Sequence, residues 1–178
     1  MDDELDSIIE PGYLDAIGEA STAELRDLRS QCQRVETQLS YLRRLIQGHL
    51  DIVSGERDRR SAGGDPADVA DLVERLPAIL AGHLHGPATG RAPSPAEPVE
   101  VDGRLADRLD EIAEVIMESP AALTDEELAA VAGDLGALEL EVSSLRRTLF
   151  GRIDAVQAEV TRRYRDGEAR VEDLLAGG

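Results

Sequence analysis

Residues 21–63 read STAELRDLRSQCQRVETQLSYLRRLIQGHLDIVSGERDRRSAG. Ser21 and Glu24 have the spacing of a capping box, in which the hydroxyl accepts from the N3 amide and the carboxylate accepts from the N-cap amide. A helix is expected to begin there. Leu25, Leu28, Cys32, Val35, Leu39, Leu42 and Ile46 follow in steps of three and four, the seam of a coiled coil, with His49 and Val53 continuing it. The run stops near Ser61-Ala62-Gly63-Gly64, which predicts a long helix over about residues 21–62. About forty residues rising ~1.5 Å each make a rod of roughly 60 Å, too long to be stable alone, so a partner helix is required.

The partner lies further along the same chain. Thr124-Asp125-Glu126-Glu127 forms a second capping box, and Leu128, Val131, Leu135, Leu138, Val142, Leu145, Leu149 and Val156 step as the first seam does, predicting a helix over about 124–175. Sliding the chain on itself by 103 residues superposes Ser21 on Thr124, Glu24 on Glu127 and Leu25 on Leu128. Between 36–60 and 139–163, 11 of 25 positions are identical, among them Leu42/Leu145, Arg43/Arg146, Arg44/Arg147, Glu56/Glu159, Arg59/Arg162 and Arg60/Arg163. Two copies of one helix suit a pair with approximate twofold symmetry, which arises when they pack antiparallel. The sequence leaves that orientation open.

Around this pair the chain is simpler. Residues 1–20, with Pro11, Gly12, Gly18 and scattered apolar groups, read as a flexible tail or as a segment ordered by a partner. The rest, 21–178, reads as a single helical domain. Asp65-Pro66 supplies an N-cap and N1 proline for a short helix over about 65–84, kinked or broken at Pro77. Residues 86–103, GPATGRAPSPAEPVEVDG, have linker composition and are expected to be disordered. An amphipathic helix over 104–118 carries Leu105, Leu109, Ile112, Val115 and Ile116 and stops near Ser119-Pro120.

Composition narrows the class. The 178 residues contain 1 Phe, 3 Tyr and no Trp, so the core must be aliphatic. Hydrophobic residues at 42% with 31% charged, rich in Leu, Ala, Glu and Arg, point to an all-α fold of long helices rather than to sandwiches or barrels. A net charge of −18 disfavours direct binding to nucleic acid or anionic membrane and favours a basic protein partner. All 19 basic residues are Arg, which fits a GC-rich coding sequence. One cysteine, an acidic start and no apolar run near 18 residues fit a cytoplasmic protein without signal peptide or membrane span.

Beside each seam runs a polar stripe: Glu36, Ser40, Arg43, Gln47 and Asp51, then Glu139, Ser143, Arg146, Phe150 and Asp154. At 100° per residue the steps of four, three, four and four span only about 80° of the helix circumference. A guanidinium there can fork onto phosphate or the O6/N7 edge of guanine, a carboxylate can accept from guanine N1–H and N2–H, and a hydroxyl can bind phosphate. The stripe thus has the chemistry of a guanine-nucleotide reader. Residues 34–60 and 139–165 each carry six Arg against four acids, a basic centre in an acidic chain. On a single long helix the same stripe is also a solvated face stitched by i,i+3 and i,i+4 pairs.

The pattern Glu-x3-Ser-x2-Arg-x3-Gln-x3-Asp, complete at Glu36, Ser40, Arg43, Gln47 and Asp51, resembles the signature of the RsiG family of actinobacterial anti-sigma factors. The second copy keeps Glu139, Ser143, Arg146 and Asp154 but has Phe150 in place of Gln. The resemblance covers both long helices. It implies an antiparallel coiled coil whose two stripes bind a dimer of cyclic di-GMP, the complex sequestering a flagellar-type, WhiG-like sporulation sigma factor and repressing transcription. Phe150 is expected to pack on a guanine or ribose, making the two half-sites unequal.

Other chemistry has little support. His49, His83 and His85 lack an accompanying Glu-x-x-His pair or Cys/His cluster, so no metal is expected, and His49 reads as a seam residue with a polar tip. Cys32 reads as a small apolar filler. No Gly-rich phosphate loop or nucleophile elbow is present, and no enzyme is expected. The rivals are a structural coiled-coil scaffold or adaptor without a ligand, and a phosphodiesterase acting on a nucleotide.

Overall fold

The computed structural model describes residues 1–63, 103–118 and 120–167. Among these, all regular structure is helical: α1 (Asp2–Ile9), α2 (Thr22–Ser61), α3 (Arg104–Glu118), a 3-10 turn at Pro120–Ala122, and α4 (Asp125–Asp166). The short helix expected over 65–84, nearly all of the linker expected over 86–103, and His83 and His85 lie outside the described residues.

Both long helices begin on reciprocal caps. Glu24 N–H donates to Ser21 Oγ at 3.2 Å and Ser21 N–H to Glu24 Oε2 at 2.6 Å. Glu127 N–H donates to Thr124 Oγ1 at 3.2 Å and Thr124 N–H to Glu127 Oε2 at 2.7 Å. These backbone bonds, made to the ionised form, hold both carboxyls below their ordinary range. Each long helix ends at a glycine in the left-handed region, Gly63 at φ 75° and Gly167 at φ 74°, a conformation a side chain would strain. Residues 168–175 of the second expected helix lie outside the described residues.

The chain divides into two compact units, residues 1–39 with 144–178, and residues 40–143. The first unit buries Leu25, Cys32, Val35 and Leu39 of α2, Leu149 and Val156 of α4, and Leu5 and Ile8 of α1. Each such aliphatic side chain contributes roughly 1.5–3 kcal/mol over its exposed state. Across this unit Arg26 meets Tyr164, Arg29 meets Gln157 and Glu36 meets Arg146, so residue numbers rise along α2 as they fall along α4.

The tail suggested for residues 1–20 is instead an ordered part of this unit. An eight-residue helix is marginal alone, but here long-helix side chains hold the segment. Arg34 reaches Glu4 at 2.7 Å, Arg152 donates to the Glu10 carbonyl at 2.9 Å, and the Tyr13 hydroxyl donates to Gln31 at 3.3 Å. The sequence hides this because the only local signal is two turns of apolar residues.

The second unit repeats the plan with α3 in place of α1. It buries Leu42, Ile46 and Val53 of α2, Leu128, Val131, Leu135, Leu138 and Val142 of α4, and Leu105, Leu109 and Ile116 of α3. Arg108 of α3 reaches Glu141 at 2.6 Å, Arg43 meets Glu139, and Arg60 meets Asp125, the same opposed order along α2 and α4.

Candidate functional site

The two seams fix the stripes beside them, since a residue one step off a buried Leu or Val is held half-exposed at the helix flank. The second unit contains Ser40, Arg43, Gln47, Asp51, Glu139 and Ser143, of which all six are half-buried. Arg43 Nε donates to Glu139 Oε1 at 2.7 Å, and Ser143 Oγ donates to the same oxygen at 2.9 Å. The Nη1 and Nη2 groups of Arg43 make no hydrogen bond to a described residue, and its side chain is 35% exposed. They remain available as a fork.

The first unit contains Glu36, Arg146, Phe150 and Asp154. Arg146 donates from both Nε, at 3.1 Å, and Nη2, at 2.9 Å, to Glu36 Oε1. Its guanidinium carbon lies 5.5 Å from the centroid of the Phe150 ring, a cation–π distance, and the ring is 46% exposed. Asp154 is exposed. The ring expected to await a base therefore already has a neighbour, the stripe's own arginine.

The stripes read from the sequence are regrouped in one respect. Glu36 shares a helix face with Ser40 and Arg43, yet its carboxylate is used by Arg146; Glu139 shares a face with Arg146, yet serves Arg43. Glu36 with Arg146 and Glu139 with Arg43 are one interaction under the 103-residue shift with the helices exchanged.

A second duplicated constellation lies nearer the helix ends, where sequence reasoning assigned no role. Arg60 donates to the carbonyls of Pro120, Ala121 and Leu123 at 3.2, 3.2 and 2.7 Å and to Asp125 at 2.7 Å, all within the second unit. In the first unit Arg163 donates to the carbonyls of Ile17, Gly18 and Ala20. Each guanidinium thus collects the chain just before the capping box of the other long helix. A carboxylate one turn back steadies it: Glu56 for Arg60 at 2.7 Å and Glu159 for Arg163 at 2.7 Å. Hydrogen bonds from Arg59 and then Arg60 hold the Glu56 carboxyl below the ordinary range against its burial. Bonds from Arg162 and Arg163 lower Glu159 to about 2. The repeated Glu-x-x-Arg-Arg in the two copies is the signal that marks this clamp.

The remaining candidates are structural. Cys32 is fully buried and burial raises its thiol pKa, as burial raises that of the neighbouring Tyr13 phenol. His49 Nδ1 donates to the Leu45 carbonyl at 2.8 Å. Among the described residues no group of three or more His, Cys, Asp or Glu could hold a metal ion, and no helix is long and apolar enough to cross a membrane.

The described residues are thus all-helical in their regular structure and carry a duplicated arginine–glutamate pair beside the seams. Its sequence matches the RsiG-like family over residues 11–80 and 114–177, more than half of the chain, and the protein belongs to that family. This is a family of anti-sigma regulators rather than a known enzyme family, and it is associated with regulatory nucleotide binding in general. Compared with individual curated proteins, the chain has no match.

Proposed function

We propose that this protein is an anti-sigma factor gated by cyclic di-GMP, which it binds as a pair of nucleotides and then uses to sequester a WhiG-like, flagellar-type sporulation sigma factor in the cytoplasm. Repression follows from withholding the sigma factor from polymerase. No catalytic step and no direct contact with nucleic acid enter the scheme.

The observation that carries the reading is the duplicated pair Arg43–Glu139 and Arg146–Glu36. An antiparallel coiled coil accounts for it, because only opposed helices let each copy's arginine meet the other copy's glutamate at the same offset. Two duplicated stripes suit a twofold-related pair of nucleotides. In the second unit the Nη groups of Arg43, which bond to no described residue, suit phosphate or the O6/N7 edge of guanine, Asp51 suits N1–H and N2–H, Gln47 adds an amide, and the Ser40 and Ser143 hydroxyls suit phosphate. In the first unit Arg146 and Asp154 take the corresponding parts, with Glu36 orienting the guanidinium. The acidic exterior then suits basic sigma surfaces that otherwise meet promoter phosphates.

One observation favours the scaffold alternative: both stripe arginines already have carboxylate partners within the protein, so the stripe is partly satisfied without a ligand. The deciding experiment is capture of the candidate sigma factor by the full-length protein with and without cyclic di-GMP. Nucleotide-dependent capture supports the proposal; no calorimetric binding of the nucleotide and no capture in either condition leaves the scaffold.

A further inference from the structure

The two stripe arginines are presented differently. Arg43 spends one N–H on Glu139, and its two terminal amino groups make no hydrogen bond to a described residue, with the half-buried Gln47 amide one turn further along. Arg146 is held by two bonds to Glu36, is 20% exposed, and lies beside the ring of Phe150, which occupies the position that Gln47 holds in the first copy. To fork onto a phosphate or a guanine edge, Arg43 need only redirect solvent-facing amino groups, whereas Arg146 must leave at least one bond and its ring contact. The same position offers an amide donor and acceptor in one unit and only an aromatic face in the other.

Resting on the cyclic di-GMP reading above, we infer that the two half-sites load in order: the second unit, through Arg43 and Gln47, takes nucleotide first, and Phe150 holds the first unit's half-site in reserve by engaging Arg146. Phe150 is thus a specificity-determining residue for the second loading step. The arrangement turns a graded response into one that requires nucleotide above the level filling the Arg43 half-site, because sigma capture needs both stripes occupied.

The test is calorimetric titration of the full chain with cyclic di-GMP. Two steps are expected, separated by about tenfold or more in Kd, the difference made by about one net hydrogen bond. Phe150→Gln should bring the weaker step to within about twofold of the stronger while leaving the stronger unchanged. Arg43→Ala should remove the tight step and Arg146→Ala the weak one. Melting temperatures of all variants, followed by circular dichroism, separate lost binding from lost folding. A single class of equivalent sites in the natural chain, unaltered by Phe150→Gln, overturns the ordered loading and leaves the nucleotide reading standing. Absence of binding to the natural chain overturns both.

Discussion

Arg43 of α2 and Glu139 of α4 are joined at 2.7 Å, and the Ser143 hydroxyl donates to the same carboxylate oxygen at 2.9 Å. The pair is partly exposed, 35% and 19%, so as a structural link it contributes about 0.5–1 kcal/mol. Its exchange separates stability from recognition. Arg43→Glu should lower stability by about 1 kcal/mol, and adding Glu139→Arg should return most of it. The exchanged pair should still lack the tight step of cyclic di-GMP binding, because the guanidinium has moved to the other helix. Urea denaturation and calorimetry on the natural chain and the two variants measure the two effects; a recovered tight step in the exchanged pair removes Arg43 from the proposed site.

The clamps should matter more to folding than the stripe. Arg163→Ala strands the carbonyls of Ile17, Gly18 and Ala20 and should cost about 2–3 kcal/mol, since hydrogen bonds to a charged donor are lost in a site where Arg163 is only 8% exposed. Arg163→Lys should recover little, because an ammonium lacks the planar fork. Hydrogen exchange should show the loss first in residues 10–20. Unchanged protection there refutes the role of the clamp in ordering that segment.

Acid should loosen the same end of the fold. The Glu159 carboxyl is lowered from 4.5 to about 2, so the folded form binds this proton less readily than the unfolded chain. Its stabilising contribution is complete above about pH 4.5 and fades as pH falls toward 2. Circular dichroism during acid titration should show the natural chain weakening across that window and Glu159→Gln less dependent on pH within it. Parallel acid profiles for the two proteins contradict this origin of acid sensitivity.

Cys32 should resist alkylation in the native chain. Its thiol is fully buried and burial raises its pKa, so both access and thiolate supply are poor at neutral pH. The rate with iodoacetamide should rise at least about a hundredfold on unfolding in denaturant, as expected when modification waits on opening. Equal rates in native and denatured protein would show the first unit to be open around this residue.

The seams and both capping boxes were legible because their signals are local: Leu25 to Val53 and Leu128 to Val156 repeat at helical spacing, and Ser21 and Thr124 each sit three residues before their glutamate. The residue types of the stripe were equally plain. Its pairing was not, since Glu36 shares a face with Arg43 yet meets Arg146, 110 residues away in the chain. The clamp escaped for a different reason. Arg60 and Arg163 address backbone oxygens, and Pro120, Ala121 and Leu123 share no side-chain identity with Ile17, Gly18 and Ala20. A carbonyl target leaves no imprint on residue type. Helix α1 was obscured because Arg34, Arg152 and Arg163, which hold its segment, are all distant in sequence.

The clamps also answer a problem that a uniform aliphatic seam creates. Leucines and valines recurring about every seven residues allow one rod to slide past the other by a heptad, about 10 Å, with most greasy contacts re-formed. A guanidinium that must find three particular oxygens tolerates no such displacement. Within each unit the clamp arginine, Arg60 or Arg163, therefore opposes the slide that the seam alone would permit.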